Sequence, residues 1–476
     1  MMQPRVSRSE DVGRPPGSWF DTLAAGLRAR ATARRWTAER RVREILDLSE
    51  QLLARRGEAS VLTIAGQVVA AVDRLDEEQT AALLGALGDR FGPDRTAVDA
   101  AIDDWRTRHD PQAMLRLSAA VEPPRQELFR RLNMALGGTA TLVRLRARLL
   151  ELLDRRPELA PVDADLRHLF GSWFNRGFLR LERVTWDTAA SVLERLIRYE
   201  AVHEIRGWDD LRSRLAPDRR CYAFFHPTLP GEPLIFVEVA LTRGLPEAIA
   251  PLIDPGREPA EPERADTAVF YSISNCQPGL RGVSFGDLLI KQVVASLAVD
   301  LPRLKSYATL SPLPGLAAAL AKEGPGAEFT PARVGKLVAE QAEELCALAG
   351  VDDPVAALRS LLAAAPPRPA AVSRALARLA LAYLVQVRRG VRVADSVAHF
   401  HLANGARLER IDPDGDLGPS GLPSLGVMVN YVYELGRVEL NHERYVENGW
   451  VAMAPALRSA AKRVEAVWSP KESESC

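Results

Sequence analysis

Three stretches of this 476-residue chain carry side chains that can move protons or hold anions. Ser311 lies in Thr309-Leu310-Ser311-Pro312-Leu313-Pro314-Gly315, where an expected strand, Tyr307 to Leu310, runs into a turn. Proline fixes φ, so the turn is stiff and the hydroxyl is preorganised. Such a hydroxyl can hold a substrate and exchange a proton; a turn serine can equally bond its own backbone. His399 and His401 are two of seven histidines. Read as a sheet segment, Val397 to Ile411 puts both rings on one face, about 6.6 Å apart along the strand. Hydrogen-bond reach is about 3 Å, so only one of them can be the main donor to a given atom. The bland alternative for either is a satisfied core histidine. The third stretch, Arg281-Gly282-Val283-Ser284-Phe285-Gly286-Asp287, is a glycine turn between an expected strand and a helix. Unpaired N–H groups of a helix N-terminus favour an anion there, and glycines let a phosphate approach; the same turn can be punctuation alone.

The elements around these residues follow from apolar spacing. Val269, Phe270, Tyr271 and Ile273, ended by Asn275, read as a buried strand. Leu289, Ile290, Val293, Val294 and Leu297 form one helical face, with Asp287 placed to complement the helix dipole. Upstream, Phe178 to Val184 alternates as a strand, Thr188 to Tyr199 repeats as a helix, and Cys221 to Phe225 with Leu234 to Leu241 form a hairpin around a Pro-rich turn. The order of strands and helices is α+β. Cys221 and His226 in the hairpin read as structural.

Residues 1–17 are polar and expected to be a disordered tail. From 18 to 160 the pattern is helical throughout, with helices at Arg41 to Arg55, Ser60 to Leu75, Glu77 to Phe91, Thr96 to His109, Pro124 to Leu136 and Thr139 to Arg155. No fixed repeat is present, so a bundle is expected, acting as a scaffold or oligomerisation domain. Residues 156–165 read as a linker, and 165–476 as the second domain. Within it, helices at Pro331 to Leu348, Val355 to Ala363 and Ala370 to Val387 form an insertion.

Lysine plus arginine and aspartate plus glutamate are both 62. The zero balance argues against a nucleic-acid partner. No run of 18 apolar residues occurs, so no membrane partner is expected. Cys221, Cys276, Cys346 and Cys476 form no C-x-x-C pair and fit a reducing compartment. The first residues lack the apolar core of a secretory signal, and the final Ser-Glu-Ser-Cys is not a peroxisomal address. The Ala/Arg/Pro-rich composition points to a bacterial, cytoplasmic protein. No histidine pair has the metal-ligand spacing of a helix.

The blocks RRCYAFFHPTLPGEPLIFVEVALT, FYSISNCQPGLRGVSFGDLLIKQVV, TLSPLPG, HFHLANGARLERI and MVNYVY occur in this order. Together they resemble the malonyl-CoA decarboxylase family over roughly residues 165 to 460. The resemblance implies a helical N-terminal domain and a GNAT-type catalytic domain with a helical insertion. The glycine turn is similar to the pyrophosphate loop of GNAT-type acetyltransferases, with Ser284 where that pattern has its first glycine. CoA would then sit on Arg281, Gly282, Val283, Ser284, Phe285, Gly286 and Asp287. The resemblance makes Ser311 and His401 catalytic, and gives Tyr433, in Asn430-Tyr-Val-Tyr433, a place beside them. It implies conversion of malonyl-CoA to acetyl-CoA and carbon dioxide with no metal and no cofactor, the CoA thioester being the substrate. Ser311 would hold the substrate, and His401 would protonate the enolate, with a single imidazole-like group in the pH profile. Some family members carry a glutamate where this chain has Ser284, so that carboxylate is missing from the relay. A homo-oligomer, with a tetramer as one form, is implied through the helical domain. Two rival readings are a CoA-dependent acyltransferase on the same fold and a helical interaction protein with an inactive CoA-binding domain.

Overall fold

The amphipathic repeats of the first third form helices, three of them opened by aspartate caps. The structure is a computed structural model, which describes residues 39–283, 289–364 and 367–468. The expected tail 1–17 and residues Ser284 to Asp287 of the glycine turn lie outside the described residues. The chain divides into two units at Phe170 and Gly171.

The first unit is helical: 39–54, Glu58–Val72, Glu77–Arg90, Arg95–Arg108, Pro111–Val121, Pro124–Asn133, Gly138–Leu152 and the start of Ala160–Trp173. Asp76 and Gln79 form a reciprocal capping box, and Asp94 and Asp110 cap the next two helices. Leu52, Ala65, Leu84, Phe129, Leu149 and Phe170 are fully buried at its centre. Arg125 pairs with Asp165 and Arg146 with Asp163, both largely buried. Those carboxylates fall in the stretch read as a linker. Residues 157–173 are instead a 3₁₀ turn and a helix, with Val162, Leu166, Leu169 and Phe170 inward. The proline at 157 and the two acidic residues suggested a loop, but they occupy a helix start and a buried ion-paired face.

The second unit is built on a mixed sheet. Its strands are β1 (Arg180–Val184), β2 (Arg219–Phe225), β3 (Pro233–Thr242), β4 (Thr267–Asn275), β5 (Ser306–Pro312), β8 (Arg407–Asp412) and β9 (Met428–Val432), in the order β1-β2-β3-β4-β5-β9-β8. A separate two-residue hairpin pairs β6 (Arg388–Arg389) with β7 (Arg392–Val393). All neighbours in the large sheet are antiparallel except β4 and β5. A parallel pair needs a crossover, here the helix Leu289–Asp300, which buries Ile290, Val293, Val294 and Leu297 as its spacing predicts. This is the GNAT-type α+β order. The parallel pairing spans only Thr267–Phe270 against Ser306–Thr309. Beyond it β4 stays with β3, and β5 with β9, so the sheet opens between them. A bulge in β4 leaves Tyr271 without a partner on β3 at the same level, and bulges re-aim a strand.

The insertion between β5 and β8 is helical. The expected helix Pro331 to Leu348 is two, Pro331–Leu337 and Ala342–Ala349, broken by a 3₁₀ turn. Its longest member, Ala370–Gln386, is apolar nearly all round and correspondingly buried. The expected sheet segment Val397 to Ile411 is corrected. Ser396–Ala403 is a helix and only Arg407–Asp412 is strand. Asp395 caps the helix through Val397 and Ala398 N–H, and Gly405, at φ +79°, ends it. A side chain at Gly405 would meet the Val438 carbonyl, so the stop is tightly specified.

Candidate active site

The alternating Val-Ala-His-Phe-His-Leu pattern is a strand pattern laid on a helix, and this decides which histidine faces Ser311. Two residues on a helix are about 200° apart, so His399 and His401 point to opposite sides. His401 Nε2 lies 2.9 Å from Ser311 Oγ. His399 Nδ1 lies 2.9 Å from the Tyr445 hydroxyl, which also accepts the Val393 N–H. His399 is therefore a tie between helices.

His401 Nδ1 is 2.9 Å from the Tyr433 hydroxyl, and Ser311 Oγ donates to Thr309 Oγ1 at 3.0 Å. Thr309 and Ser311 share one face of β5 because they are two apart on a strand. The result is a buried chain, Tyr433–His401–Ser311–Thr309. The His401 ring stacks on Tyr431, with centroids 4.7 Å apart and planes at 27°. Ser311 and His401 are 7% and 2% exposed. Burial lowers the imidazole to about 3 and raises the Tyr433 phenol well above its usual range. The imidazole is thus neutral at neutral pH, and the expected single imidazole-like limb does not come from His401 in the free protein. A phenol is a better donor than acceptor. With Tyr433 donating to Nδ1, the Nε2–H points at Ser311, whose own proton goes to Thr309.

Ser311 and His401 open into a cavity of about 350 Å³ where β4 and β5 part, walled by Phe270, Ile273, Asn275, Val397 and Phe400. Among the described residues, no lysine or arginine lines it. A second cavity of about 290 Å³ is lined by Asn275, Gln277, Leu280, Arg281, Gly282 and Val283. Asn275 lines both cavities. Gly282 sits at φ +76°, a left-handed conformation that glycine adopts without strain.

A family model of the malonyl-CoA decarboxylase C-terminal domain matches residues 177–471, and one of the N-terminal domain matches 91–174. The crystal structure of malonyl-CoA decarboxylase from Rhodopseudomonas palustris is 45% identical, with a TM-score of 0.79 over 88% of this chain and 99% of that one. The one from Agrobacterium vitis is also 45% identical, with a TM-score of 0.73 over 88% and 99%. The mitochondrial malonyl-CoA decarboxylase of Rattus norvegicus is 36% identical over 77% of this chain and 79% of its own length. The chain belongs to the malonyl-CoA decarboxylase family.

Every residue of the proton chain and both cavities lie in the stretch that matches the malonyl-CoA decarboxylase C-terminal domain. Sequence reasoning named Ser311, His401 and Tyr433, and the structure joins them. It also named the glycine turn, of which Arg281, Gly282 and Val283 are described and border the outer cavity. It missed Thr309, Tyr431 and Asp395. The first two were legible in principle, each two residues before a named residue on a strand. Asp395 had a helix N-cap signature, Asp-Ser-Val-Ala, masked by the strand-like alternation after it. His226 is tied to Thr228 and packs on Phe174, and Cys221 is buried in the core, which fits structural roles.

Proposed function

We propose that the chain decarboxylates malonyl-CoA to acetyl-CoA and carbon dioxide through the Ser311–His401 pair, with neither metal nor cofactor. The CoA thioester is itself the substrate, held with its pyrophosphate at the 281–287 turn and its malonyl end at Ser311. The observation that carries the reading is the neutral proton chain opening into an uncharged cavity. A carboxylate in water is well solvated, whereas a cavity walled by Phe270, Ile273, Val397 and Phe400 offers it little compensation. Losing carbon dioxide moves that charge onto the thioester enolate, which favours the reaction over binding. The breaking bond must stand perpendicular to the thioester plane to overlap its π system. His401 protonates the enolate through Ser311: the Ser311 hydroxyl turns from Thr309 and gives its proton to the α-carbon, His401 Nε2–H refills Oγ, and Tyr433 O–H refills the ring at Nδ1. A solvent proton then enters at Nε2 from the emptied cavity and the Nδ1 proton returns to Tyr433, so one solvent proton is consumed for each carbon dioxide released. An enolate carbon is basic enough to take a proton from neutral donors, so a neutral His401 suits this step.

A cytoplasmic setting and a homo-oligomer formed through the helical unit belong to the same reading. Among the described residues no helix is long and apolar enough to cross a membrane. Met114, Leu115 and Val121 leave apolar surface exposed on Pro111–Val121.

The deciding measurement is carbon dioxide release from malonyl-CoA by the wild type, Ser311→Ala and His401→Ala. Release by the wild type and its loss in both variants supports the reading. Acetyl transfer from acetyl-CoA to amines, with no release from malonyl-CoA, would assign the acyltransferase instead.

A further inference from the structure

The two groups that must meet, Ser311 and His401, sit on different elements, one at the end of β5 and one in the last turn of the helix Ser396–Ala403. Each arm needs its own anchor, because a hydrogen bond of 2.9 Å between them does not fix a helix against a strand. One buried side chain touches both arms. Asp395, 2% exposed, accepts the Val397 and Ala398 N–H groups on Oδ1, each at 3.0 Å, and the Gly315 N–H on Oδ2 at 3.0 Å. The first pair caps the histidine helix; the third bond holds the turn four residues after Ser311. The turn has no room to drift on that side, since a side chain at Gly315 would lie 2.0 Å from the Tyr383 hydroxyl. We propose that Asp395 is the positioning residue of the site, its single carboxylate holding the Ser311 strand and the His401 helix in register. This rests on the Ser311–His401 reading above.

The arrangement has a pH signature. Asp395 faces N–H donors and two phenols, Tyr383 from the helix Ala370–Gln386 and Tyr431 from β9, both raised by burial and so uncharged in acid. On its own helix, His399 faces Tyr445, and His401 is held neutral to about 3. No lysine or arginine is among the groups that shift it, and burial raises its carboxyl above the usual 3.8. As pH falls through that raised value the carboxylate takes a proton, one oxygen becomes a donor, and a bond to one arm is lost. Turnover then declines at a pH above the ordinary aspartate range.

Asp395→Asn is the sharp test. Asparagine caps a helix about as well as aspartate, so the cap survives. Its amide can accept through one atom only, and N–H would face N–H at Gly315. Ser424 Oγ, which accepts the Leu313 N–H, still holds the turn, so folding is retained. The expected result is kcat lower by about 10- to 100-fold, KM within about twofold, and loss of the acid limb because asparagine does not ionise. Asp395→Glu, which ionises but is one methylene too long, is expected to lower kcat and keep an acid limb. If Asp395→Asn keeps wild-type kcat and its acid limb while Ser311→Ala is inactive, the positioning role is overturned and the Ser311–His401 chemistry stands. If Ser311→Ala and His401→Ala are themselves active, that chemistry fails first. Should Asp395→Asn prove insoluble, Asp395→Glu decides: an unchanged kcat overturns the proposal.

Discussion

Two of the polar chains buried in the sheet-bearing unit differ in charge. Beside β2 and β3, Arg214 is fixed between Asp210 and Glu238, both at 3.0 Å, with all three side chains at most 7% exposed. Beside β5 and β9, Tyr433, His401, Ser311 and Thr309 form a chain with no formal charge. The charged cluster spends its donors on carboxylates and on the His203 and Glu204 carbonyls. Moving any of its protons would strand a charge in the interior. The neutral chain can pass a proton along without creating a lasting charge, and it borders a cavity. Buried charge makes a strut; buried neutral donors in series make a relay.

The contrast breaks first at the relay. His401→Asn and Ser311→Ala are each expected to lower kcat by about 10²–10⁴ with little change in unfolding midpoint. The double variant should be scarcely worse than either, as for residues acting as one unit; additive losses in single-turnover rates would dissolve the relay. Arg214→Met should do the reverse. Stranding two buried carboxylates costs about 3–5 kcal/mol, visible in urea unfolding, while the kcat of the folded fraction holds. A finer test uses stability against pH. His401 is lowered to about 3 in the folded protein from an ordinary 6.5. The unfolded chain therefore binds the extra proton between these values, and stability is full above 6.5 and falls as pH drops. The slope from this one group is about 1.4 kcal/mol per pH unit, and unfolding of His401→Asn should lack it. Gly282→Val, forcing a β-branched residue into a positive φ beside the outer cavity, should raise KM several-fold with kcat nearly constant. The smallest effect belongs to His399→Asn, which faces Tyr445 and should retain most of the turnover in the same assay.

Much of this site was legible from residue types. Two prolines and a glycine that stiffen its turn make Ser311 a candidate, and a strand-to-helix link does the same for the glycine turn, while the resemblance in TLSPLPG and FHLANG singles out Ser311 and His401. The β4–crossover–β5 unit was readable from one amphipathic face. What sequence could not supply was the third dimension of the histidine segment. Val397 to Leu402 alternates like a strand, and the choice of helix is made by Asp395 at one end and Gly405 at the other. A local pattern lost to two end residues, and with it went the relation between His399 and His401. The stretch 156–165 was misjudged for a related reason. Asp163 and Asp165 face buried arginines, Arg146 and Arg125, on two other helices, which is a tertiary fact.

Ser311 and His401 are 90 positions apart along the chain, and a whole helical insertion lies between them. Closing a loop of that length costs about 4 kcal/mol beyond the fixed nucleation cost, and contacts this remote tend to form late. A polypeptide still emerging from the ribosome can complete β1 to β5 and the outer cavity beside the glycine turn while Val397, Phe400 and His401, which wall the inner one, are unmade. Such a chain lacks the inner wall as well as the histidine and would release no carbon dioxide. Turnover is then a gauge of finished folding: a protein nicked anywhere between Pro314 and Ser396 and allowed to separate should stay silent.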